Sequence, residues 1–394
     1  MNPHIQRLYK LSEKKQRTII GLMSGTSLDG LDIAVCVISG SGISTQCKVT
    51  HFETVAYDDA IKEKILAVFS KEYVDLKYMT LLNPWIGTYH ARLVNEQLSR
   101  WGIEDKDIDL IASHGQTIYH CPNSFHDLPD FKHGTLQIGD GDHIAIDTGI
   151  ITLSDFRQKH IAAGFEGAPL AQYGDYYLFA EPNKNTLLLN IGGIANFTFI
   201  GKNHTLNDII CSDIGPGNTL MDQYVRKYLN LAYDQNGDLA SKGIVCKELL
   251  SALTSLDFII QPMPKTTGPE LFNVDLLESI ILHKKLKISH HDTLATLNEF
   301  TAYCIVDHIT KLDVSGTVEV IVSGGGAHND TLFNKLKDKL SRNFNIVKLD
   351  NDGIDTDSKE AVLFAVLANQ CVMSESADEN TQGQLTFGKI SLPL

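Results

Sequence analysis

The sequence lacks the cysteine spacing of a disulfide framework or a zinc site. Its seven cysteines are odd in number and far apart, and no Cys-x-x-Cys occurs. Such usage is typical of reduced thiols inside a cell. No run reaches the roughly 18 apolar residues of a membrane span, and no apolar signal core follows the N-terminus. We therefore expect a cytoplasmic protein with no membrane partner.

Basic residues are also in short supply. The chain has 34 Lys and Arg against 48 Asp and Glu, a formal net charge of −14. This balance argues against nonspecific binding of nucleic acid, which depends on positive charge. Hydrophobic residues make up 43% of the 394 positions, which is enough to build large cores. A chain of this length is expected to form two domains.

What the sequence does contain is a polar run with a glycine at each end, residues 25–30, between strand-like segments at 17–22 and 31–39. Glycine lets the backbone approach a ligand and adopt positive φ. A Walker loop or a Rossmann fingerprint would open into a helix, whereas this chain returns as a strand. The context indicates a nucleotide-binding fold of another kind.

The side chains of this run suit phosphate and magnesium chemistry. Thr26 and Ser27 offer hydrogen-bond donors to phosphate oxygens, and Asp29 has the chemistry to hold water around Mg²⁺. A tight hairpin alone would need only two turn residues. The longer polar loop, which is followed by Asp32, favours a phosphate-binding turn over a simple hairpin.

A second copy of the same layout follows later in the chain. Strand-like residues 186–191 turn at Gly192 and Gly193 and return as residues 194–200. Residue identity between the two copies is low, so the repeat is one of structure. Two like halves, each with a backbone-rich turn, would grip phosphates from opposite sides of a cleft.

The remaining periodicities predict the other elements and the domain boundaries. A buried strand at 108–112 leads into the polar residues 113–117, and a loop is expected at 120–134. Helices are expected at 59–71, 76–102, 219–230, 293–312, 329–341 and 358–374. The domains are predicted to be 1–160, to which 372–394 is a candidate to return, and 161–371.

Asp213 is the most pointed candidate for a catalytic group. It precedes a Gly-Pro-Gly turn at 215–217 and the N-terminus of a predicted helix, so its carboxylate is held in place with backbone donors nearby. These features suit a base aimed at a substrate that carries anionic oxygens. A helix N-terminal acid or an ordinary turn residue is the alternative.

Other segments have both a functional and a structural interpretation. Arg157 could hold a substrate carboxylate bidentately, or an ion pair could form between Asp155 and Arg157 or another partner. His114 ends a buried strand and either shapes a sugar site or satisfies a turn. Lys265 either meets phosphate or is solvated. The glycines at 324–326 either let a flat ring or a phosphate lie against bare backbone or simply lead into a helix.

Eleven segments in order resemble the anhydro-N-acetylmuramic acid kinases, a family of the actin/hexokinase/acetate-kinase superfamily. They are GLMSGTSLDGLDIA (21–34), SHGQT (113–117), LQIGDG (136–141), SDFR (154–157), GAPL (167–170), LNIGGIAN (189–196), DIGPGN (213–218), PKTTG (264–268), TLNEFTA (296–302), SGGGAHN (323–329) and KEAVLFAVLA (359–368). One glycine motif is weak evidence, whereas eleven in family order are specific.

The resemblance implies an α/β fold with duplicated ribonuclease-H-like domains of the actin/hexokinase type around a hinged nucleotide cleft. The implied enzyme uses ATP and adds water across the 1,6-anhydro bond of anhydro-N-acetylmuramic acid. It phosphorylates the released O6 to give N-acetylmuramic acid 6-phosphate and ADP, as part of peptidoglycan recycling. Family analogy also makes a homodimer plausible.

The resemblance also assigns roles to residues. Asp213 is the catalytic base that deprotonates the attacking water, and Mg²⁺ neutralises charge on the phosphoryl oxygens with Asp29 as an outer-shell partner. The residues assigned to ATP and its phosphates are Gly25, Thr26, Ser27, Leu28, Asp29, Gly30, Leu31, Asp32, Asn190, Gly192, Gly193, Asn196, Gly215, Gly217, Asn218, Gly324, Gly325 and Gly326. The residues assigned to the sugar are His114, Gln116, Thr117, Asp155, Arg157 and Glu360.

A few positions depart from the family pattern and leave the exact sugar open. Phe165 and Glu166 stand where the family commonly has Gly-Gln, His160 where Asp is frequent, and Pro269 where Arg is frequent. A related kinase for another sugar and a noncatalytic nucleotide-dependent switch are the alternatives. The retained Asp213 weighs against the switch, which has no need of a water-activating base.

Overall fold

A computed structural model describes residues 2–268, 270–349, 353–355, 357–373 and 386–394. The chain divides into two compact units, the first made of Met1–Leu178 and Asp350–Leu394 and the second of Phe179–Leu349. These limits differ from 1–160 and 161–371. The limit near the C-terminus differs because the last long helix packs against the sheet of the first unit.

The first unit contains a seven-stranded sheet. Its strands are β1 (Gln16–Ser24), β2 (Gly30–Ser39), β3 (Gln46–Ala56), β4 (Leu110–Cys121), β5 (Gly134–Ile138), β6 (Thr152–Ser154) and β12 (Lys389–Ser391). The order across the sheet is β12-β6-β4-β1-β2-β3, with β5 attached to β4. Strands β1, β2 and β3 are antiparallel neighbours, whereas β4 and β6 continue in parallel from β1.

The second unit contains a five-stranded sheet with the same plan. Its strands are β7 (Asn185–Ile191), β8 (Ile194–Ile200), β9 (Ile210–Pro216), β10 (Val318–Ser323) and β11 (Phe344–Lys348), in the order β11-β10-β7-β8-β9. Strands β7, β8 and β9 are antiparallel neighbours, whereas β10 and β11 continue in parallel from β7. With β5 and β12 set aside, both sheets read 3-2-1-4-5. The predicted α/β fold with duplicated ribonuclease-H-like domains is confirmed.

The helices divide between the units as follows. The first unit has α1 (Pro3–Leu11), α2 (Asp59–Leu66), α3 (Leu76–Trp101), α4 (Gly141–Thr148), α5 (Phe156–Ala162), α6 (Ala171–Phe179, ending at the boundary) and α13 (Lys359–Met373). The second has α7 (Thr219–Leu229), α8 (Lys247–Thr254), α9 (Asp257–Ile260), α10 (Val274–His283), α11 (His290–Thr310) and α12 (Asp330–Lys339). Among the described helices, none combines the length and the apolarity needed to cross a bilayer.

Capping residues in the sequence set the limits of the longest helix. At the start of α3, the Asp75 side chain accepts from the amide of Lys77 at 2.8 Å. At its end, Gly102 adopts φ +70, a left-handed conformation that costs glycine little. The predicted end of this helix near Gly102 is confirmed.

Strand β4 is longer than the sequence predicts. The expected strand at 108–112 continues to Cys121, so residues 113–117 lie inside it and the expected loop at 120–134 begins later. The first half of β4 pairs in parallel with β1 and β6, and the second half pairs antiparallel with β5. Between the halves, Gly115 has φ +77, and a Cβ there would lie 2.5 Å from the carbonyl oxygen of Ile138. This glycine lets one strand change partners.

Helix α13 approaches β1 at a point where only glycine fits. A Cβ on Gly21 would lie 1.9 Å from the carbonyl oxygen of Ala361. Nearer the start of the strand, the buried Arg17 donates from Nε to Asn369 Oδ1 at 2.6 Å. These contacts fix α13, and with it Glu360 in its first turn, against the sheet of the first unit.

Gly21→Ala should therefore destabilise the first unit, because a backbone carbonyl that cannot rotate away meets the added methyl group. Forced insertions of this kind cost roughly 1–3 kcal/mol or more. Gly134→Ala is the matched control, since the nearest atom to its Cβ would lie 3.7 Å away. Thermal melts of the two variants and the unmodified chain test this. Equal melting temperatures for Gly21→Ala and the unmodified chain would contradict it.

Candidate active site

The first predicted phosphate turn lies where β1 passes into β2. Thr26, Ser27 and Asp29 are exposed there, whereas Leu28 and Leu31 are buried in the core. Positive φ falls on Leu28, at +59, and not on the two glycines that bracket the run. The side chains of Leu28 and Leu31 therefore pack inside the protein, and only their backbone remains for a ligand.

A buried side chain holds the backbone of this turn. The carbonyl oxygen of Gly25 accepts from Gln116 Nε2 at 3.2 Å and from the amide of Leu28 at 3.4 Å. In a trans peptide the N–H points opposite to the C=O. Because the Gly25 carbonyl is anchored towards the protein, the amide of the exposed Thr26 points outward, where an anion can reach it.

The turn between β7 and β8 is anchored in a similar way. The carbonyl of Gly192 accepts from the amide of Asn218 at 2.8 Å, and that of Gly193 accepts from the amide of Gly217 at 2.9 Å. The amide of the exposed Gly193 consequently points away from these contacts. The sequence predicts backbone donors for anionic oxygens near Asp213, but the amides of Gly217, Asn218 and Thr219 donate to this turn instead.

The glycines predicted to bind ATP fall into two groups. In one group an added Cβ would strike the protein, as at Gly217, 2.2 Å from the carbonyl oxygen of Gly192. Its other members are Gly30, Gly324 and Gly326, whereas Gly215 is intermediate, because the nearest atom to its Cβ would be Ile259 Cδ1 at 3.2 Å. In the second group the nearest atom would lie between 3.6 and 3.9 Å away, and its members are Gly25, Gly192, Gly193 and Gly325. The fold itself leaves room at the second group, so glycine there fits a backbone that a ligand approaches closely.

Asp213 lies on β9 and is half-buried. Its Oδ2 accepts from the amide of Thr267 at 2.8 Å, and its own amide donates to the carbonyl of Lys265 at 2.9 Å. Burial raises the pKa of Asp213, an effect that the Thr267 amide partly offsets. In the described part of the chain nothing donates to Oδ1. One oxygen is thus fixed while the other can accept a proton from a water molecule.

Asp213 ends a row of polar side chains that crosses four strands. The register pairs Ser323 on β10 with Asn190 on β7, Asn190 with Asn196 on β8, and Asn196 with Asp213. Residues paired directly across strands point to the same face of a sheet. The structure therefore brings the predicted Asn190, Asn196 and Asp213 together on one face of the second unit.

Lys265 has neither of the roles considered for it. Its Nζ donates to the carbonyls of Phe258, Ile259 and Gln261 at 2.6, 3.1 and 3.2 Å, at the C-terminal end of α9. It also lies 4.5 Å from the centre of the Phe258 ring. A cation there satisfies unpaired helix carbonyls. Lys265 thus holds the segment whose backbone positions Asp213.

In the first unit, Arg157 of α5 reaches His114 of β4. Arg157 Nε donates to His114 Nε2 at 2.9 Å, and His114 Nδ1 donates to the carbonyl of Gly115 at 2.9 Å. Burial, together with the Arg157 charge, lowers the pKa of His114 to about 3. His114 is therefore a neutral acceptor near pH 7, with its single proton on Nδ1.

The rest of the Arg157 guanidinium is only partly used by the protein. Nη1 donates to the carbonyl of Gly167 at 2.9 Å, while Nη2 has no acceptor among the residues that the structure describes. Desolvation lowers the pKa of Arg157, and Glu360 counteracts this. Glu360 retains an exposed surface, but desolvation by the surrounding protein raises its pKa. The charge of the Asp32 carboxylate raises it further.

The other predicted sugar residues have partners in the protein. Gln116 is fully buried and supports the first turn, as described above. Thr117 is half-buried, and its hydroxyl accepts from Gln137 Nε2 at 3.3 Å. Asp155, at φ +56, pairs with Lys389 of β12. The internal ion pair of Asp155 therefore exists, but with a partner other than Arg157.

Three of the departures from the family pattern lie together, His160 on α5 and Phe165 and Glu166 on the loop that follows it. The Phe165 ring stacks on His160 with centroids 4.7 Å apart, and His160 Nδ1 accepts from the amide of Gly167 at 3.1 Å. Burial, with the Arg157 charge, lowers the pKa of His160 to about 4. Glu166 Oε1 lies 4.0 Å from the ring of His133. Pro269 lies outside the described residues.

A family model described as anhydro-N-acetylmuramic acid kinase matches residues 17–381. The chain belongs to this family. A protein of that name from Pseudoalteromonas translucida is 50% identical, with 99% of each chain covered. Namesakes from Pseudoalteromonas atlantica and Caldanaerobacter subterraneus are 49% and 36% identical, cover 100% and 98% of this chain, and are each covered over 100% of their length. The resemblance found in the sequence is confirmed, and a noncatalytic switch is not favoured.

Two supporting hydroxyl groups escaped the sequence-based assignment. Thr301 on α11 donates to the carbonyls of Pro216 and Gly217 at 3.0 and 2.9 Å, which fixes the turn after Asp213. Ser24 Oγ donates to Gln116 Oε1 at 2.5 Å, behind the first turn. Both lie inside motifs that carry the resemblance, but a hydroxyl in a buried segment gives no sign of what it contacts.

Gly193→Ala and Gly217→Ala should separate ligand binding from folding. The first adds a methyl group in open space beside the outward amide and should weaken nucleotide binding by roughly tenfold, about the value of one hydrogen bond to a charged group. The second should lower the melting temperature, because its Cβ would meet the Gly192 carbonyl. Calorimetric titration with nucleotide and thermal melts measure both. Unchanged affinity in Gly193→Ala would show that this turn does not contact phosphate.

Proposed function

We propose that this chain uses ATP to phosphorylate O6 of 1,6-anhydro-N-acetylmuramic acid while water opens the anhydro bond. The products are N-acetylmuramic acid 6-phosphate and ADP, and the reaction takes place in the cytoplasm during peptidoglycan recycling. Family membership supports the reaction class. The observation that carries the chemistry is the Asp213 carboxylate, with one oxygen held by Thr267 and the other open to water. The homodimer implied by the resemblance stays a prediction.

Asp213 acts as the base that activates water. Partial burial makes its ionised carboxylate more basic than an exposed one, and the Thr267 amide keeps Oδ2 in place. As the water oxygen bonds to the anomeric carbon, its proton passes to Oδ1 and the bond from that carbon to O6 breaks. The electron pair left on O6 then attacks the γ-phosphorus of ATP, and ADP leaves.

The two anchored turns donate hydrogen bonds to the phosphates of ATP. The outward amides of Thr26 and Gly193 are fixed by peptides whose carbonyls are already bound. A donor that is oriented before the reaction needs no rearrangement when charge develops on the phosphoryl oxygens. Positioning of this kind is the main contribution of a protein to phosphoryl transfer.

Mg²⁺, which the kinase reaction implies, fits the carboxylates of the first turn. Burial raises the pKa of Asp32, and the nearby Asp357 and Asp29 raise it further, a repulsion that a cation relieves. The described residues form no cage of three His, Cys, Asp or Glu side chains, but an ion that keeps waters and binds phosphates needs only one or two carboxylates. Asp29 and Asp32 would hold Mg²⁺ here, and a bound ion would supply neutralisation of the charge on the phosphoryl oxygens.

Arg157 and Glu360 recognise the sugar. His114, which is neutral, does not neutralise the charge of Arg157, and Nη2 is open to a carboxylate on the substrate. Anhydro-N-acetylmuramic acid carries such a group. Glu360 offers a carboxylate that can accept from sugar hydroxyl groups.

Asp213→Asn should abolish turnover while leaving ATP affinity within a few fold. The amide oxygen can still accept from Thr267, but the group can no longer take a proton from water. Asp222→Asn is the matched control, because burial also raises the pKa of Asp222, to about 6, in the same unit. Steady-state rates and calorimetric titration test this. A large loss of ATP affinity in Asp213→Asn would instead assign Asp213 to the metal.

Coupled ring opening predicts a preference for the anhydro sugar. The chain should release ADP with anhydro-N-acetylmuramic acid and far more slowly with open N-acetylmuramic acid, and oxygen from labelled water should appear at the anomeric carbon. A coupled ADP assay and mass spectrometry of the product measure both outcomes. Equal rates with the two sugars would contradict the proposed specialisation and leave a kinase of another sugar.

A further inference from the structure

A chain of buried hydrogen bonds lies behind the first turn. Ser24 Oγ is 2.5 Å from Gln116 Oε1 and 2.9 Å from the hydroxyl of Tyr57, and this hydroxyl is 2.8 Å from His90 Nε2. The first three residues sit on or beside the sheet, and His90 lies on α3. All four side chains are buried. None of the roles assigned to the site uses Tyr57 or His90.

The donor and the acceptor of every hydrogen bond in this buried series are determined. Gln116 Nε2 donates to the carbonyls of Gly25 and Thr117, so its Oε1 faces Ser24 and can only accept. Ser24 must then donate its proton to Gln116. Its oxygen accepts from the Tyr57 hydroxyl, whose oxygen in turn accepts from His90 Nε2.

His90, at the end of this series of hydrogen bonds, departs from the rule that buried polar atoms have hydrogen-bond partners. With its proton on Nε2, its Nδ1 is a bare acceptor, and this buried atom has no hydrogen-bond partner among the described residues. An unsatisfied buried acceptor costs stability. Sites where a local rule is broken without a structural gain are where a functional reason is expected.

We propose that Tyr57 and His90 are positioning residues that orient the phosphate-binding turn through Ser24 and Gln116. The proposal rests on the function proposed above. Once the Tyr57 hydroxyl occupies the Ser24 oxygen as a donor, the Ser24 proton is directed to Gln116. Gln116 then has to present its NH₂ group to Gly25, and the Thr26 amide has to point outward.

Loss of the Tyr57 hydroxyl releases this sequence of constraints. Ser24 can then turn its proton towards the carbonyl of Gly30, which already lies 3.4 Å away. Without a donor on Oε1, the Gln116 amide is held only through Nε2, by the carbonyls of Gly25 and Thr117. The partner of the Gly25 carbonyl is then less firmly fixed, and so is the outward orientation of the Thr26 amide.

Tyr57→Phe should therefore raise the Kd for a non-hydrolysable ATP analogue by roughly 3- to 10-fold, the range expected for loss of one hydrogen bond. The KM for the sugar should stay unchanged. Tyr89→Phe is the matched control. The Tyr89 ring packs edge-on against Tyr57, with centroids 5.9 Å apart, but its hydroxyl takes no part in this series of hydrogen bonds. Calorimetric titration, steady-state kinetics and thermal melts are measured on all variants.

A second pair of variants decides the matter even where Tyr57→Phe fails to fold. His90→Leu should weaken nucleotide binding in the same way, and His90→Gln should restore it, because the glutamine amide can donate to Tyr57. A lower melting temperature with an unchanged nucleotide Kd in these variants would make the pair merely structural and overturn the proposal. If the unmodified chain binds no ATP analogue, the proposed function fails instead.

Discussion

The orientation of two peptide planes is the constraint on which the rest of the site depends. In each unit, the turn between the first two strands has its carbonyl bound from within the protein, so an exposed amide faces outward. Thr26 presents this amide in one unit and Gly193 in the other. The buried side chain of Gln116 anchors the first turn, whereas backbone amides at the start of α7 anchor the second. The duplication preserves a peptide orientation although the groups that produce it differ.

Burial sets the charge of the groups around these turns in one consistent sense, towards the neutral form. It lowers the pKa of His114 and His160 and raises that of Asp213 and Glu360. The consequence is clearest at Arg157. The neutral His114 orients the guanidinium without neutralising its charge, and Glu360 is the carboxylate whose charge acts on it.

The fold could be read from the sequence because its signals are local. The apolar strands on either side of residues 25–30 and 192–193 predict the two hairpins, and Gly102 predicts the end of α3. The support of the site could not be read in this way. The partner of the Gly25 carbonyl is a side chain on another strand, and Lys265 satisfies a helix end that its own motif does not contain. Such contacts depend on tertiary packing, which one sequence does not encode in its spacing.

Glycine illustrates the same limit. In the sequence, Gly193 and Gly217 both look like flexible positions in a turn. Only the structure shows that a Cβ would have open space at Gly193 and would meet the Gly192 carbonyl at Gly217. Likewise, positive φ falls on Leu28, a residue type that gives no warning of it.

The first unit is built from two stretches of chain that the whole second unit separates. Helix α13 packs against β1, β2 and β4, and Gly21 and Arg17 meet residues that are made only after the second unit. On the ribosome, Phe179–Leu349 is fully synthesised before this helix exists and can close its own core. The earlier sheet meanwhile waits with one apolar side uncovered. Completion of the half that bears Arg157 thus depends on the synthesis of α13, and a nascent chain released before this helix is made leaves that half unfinished.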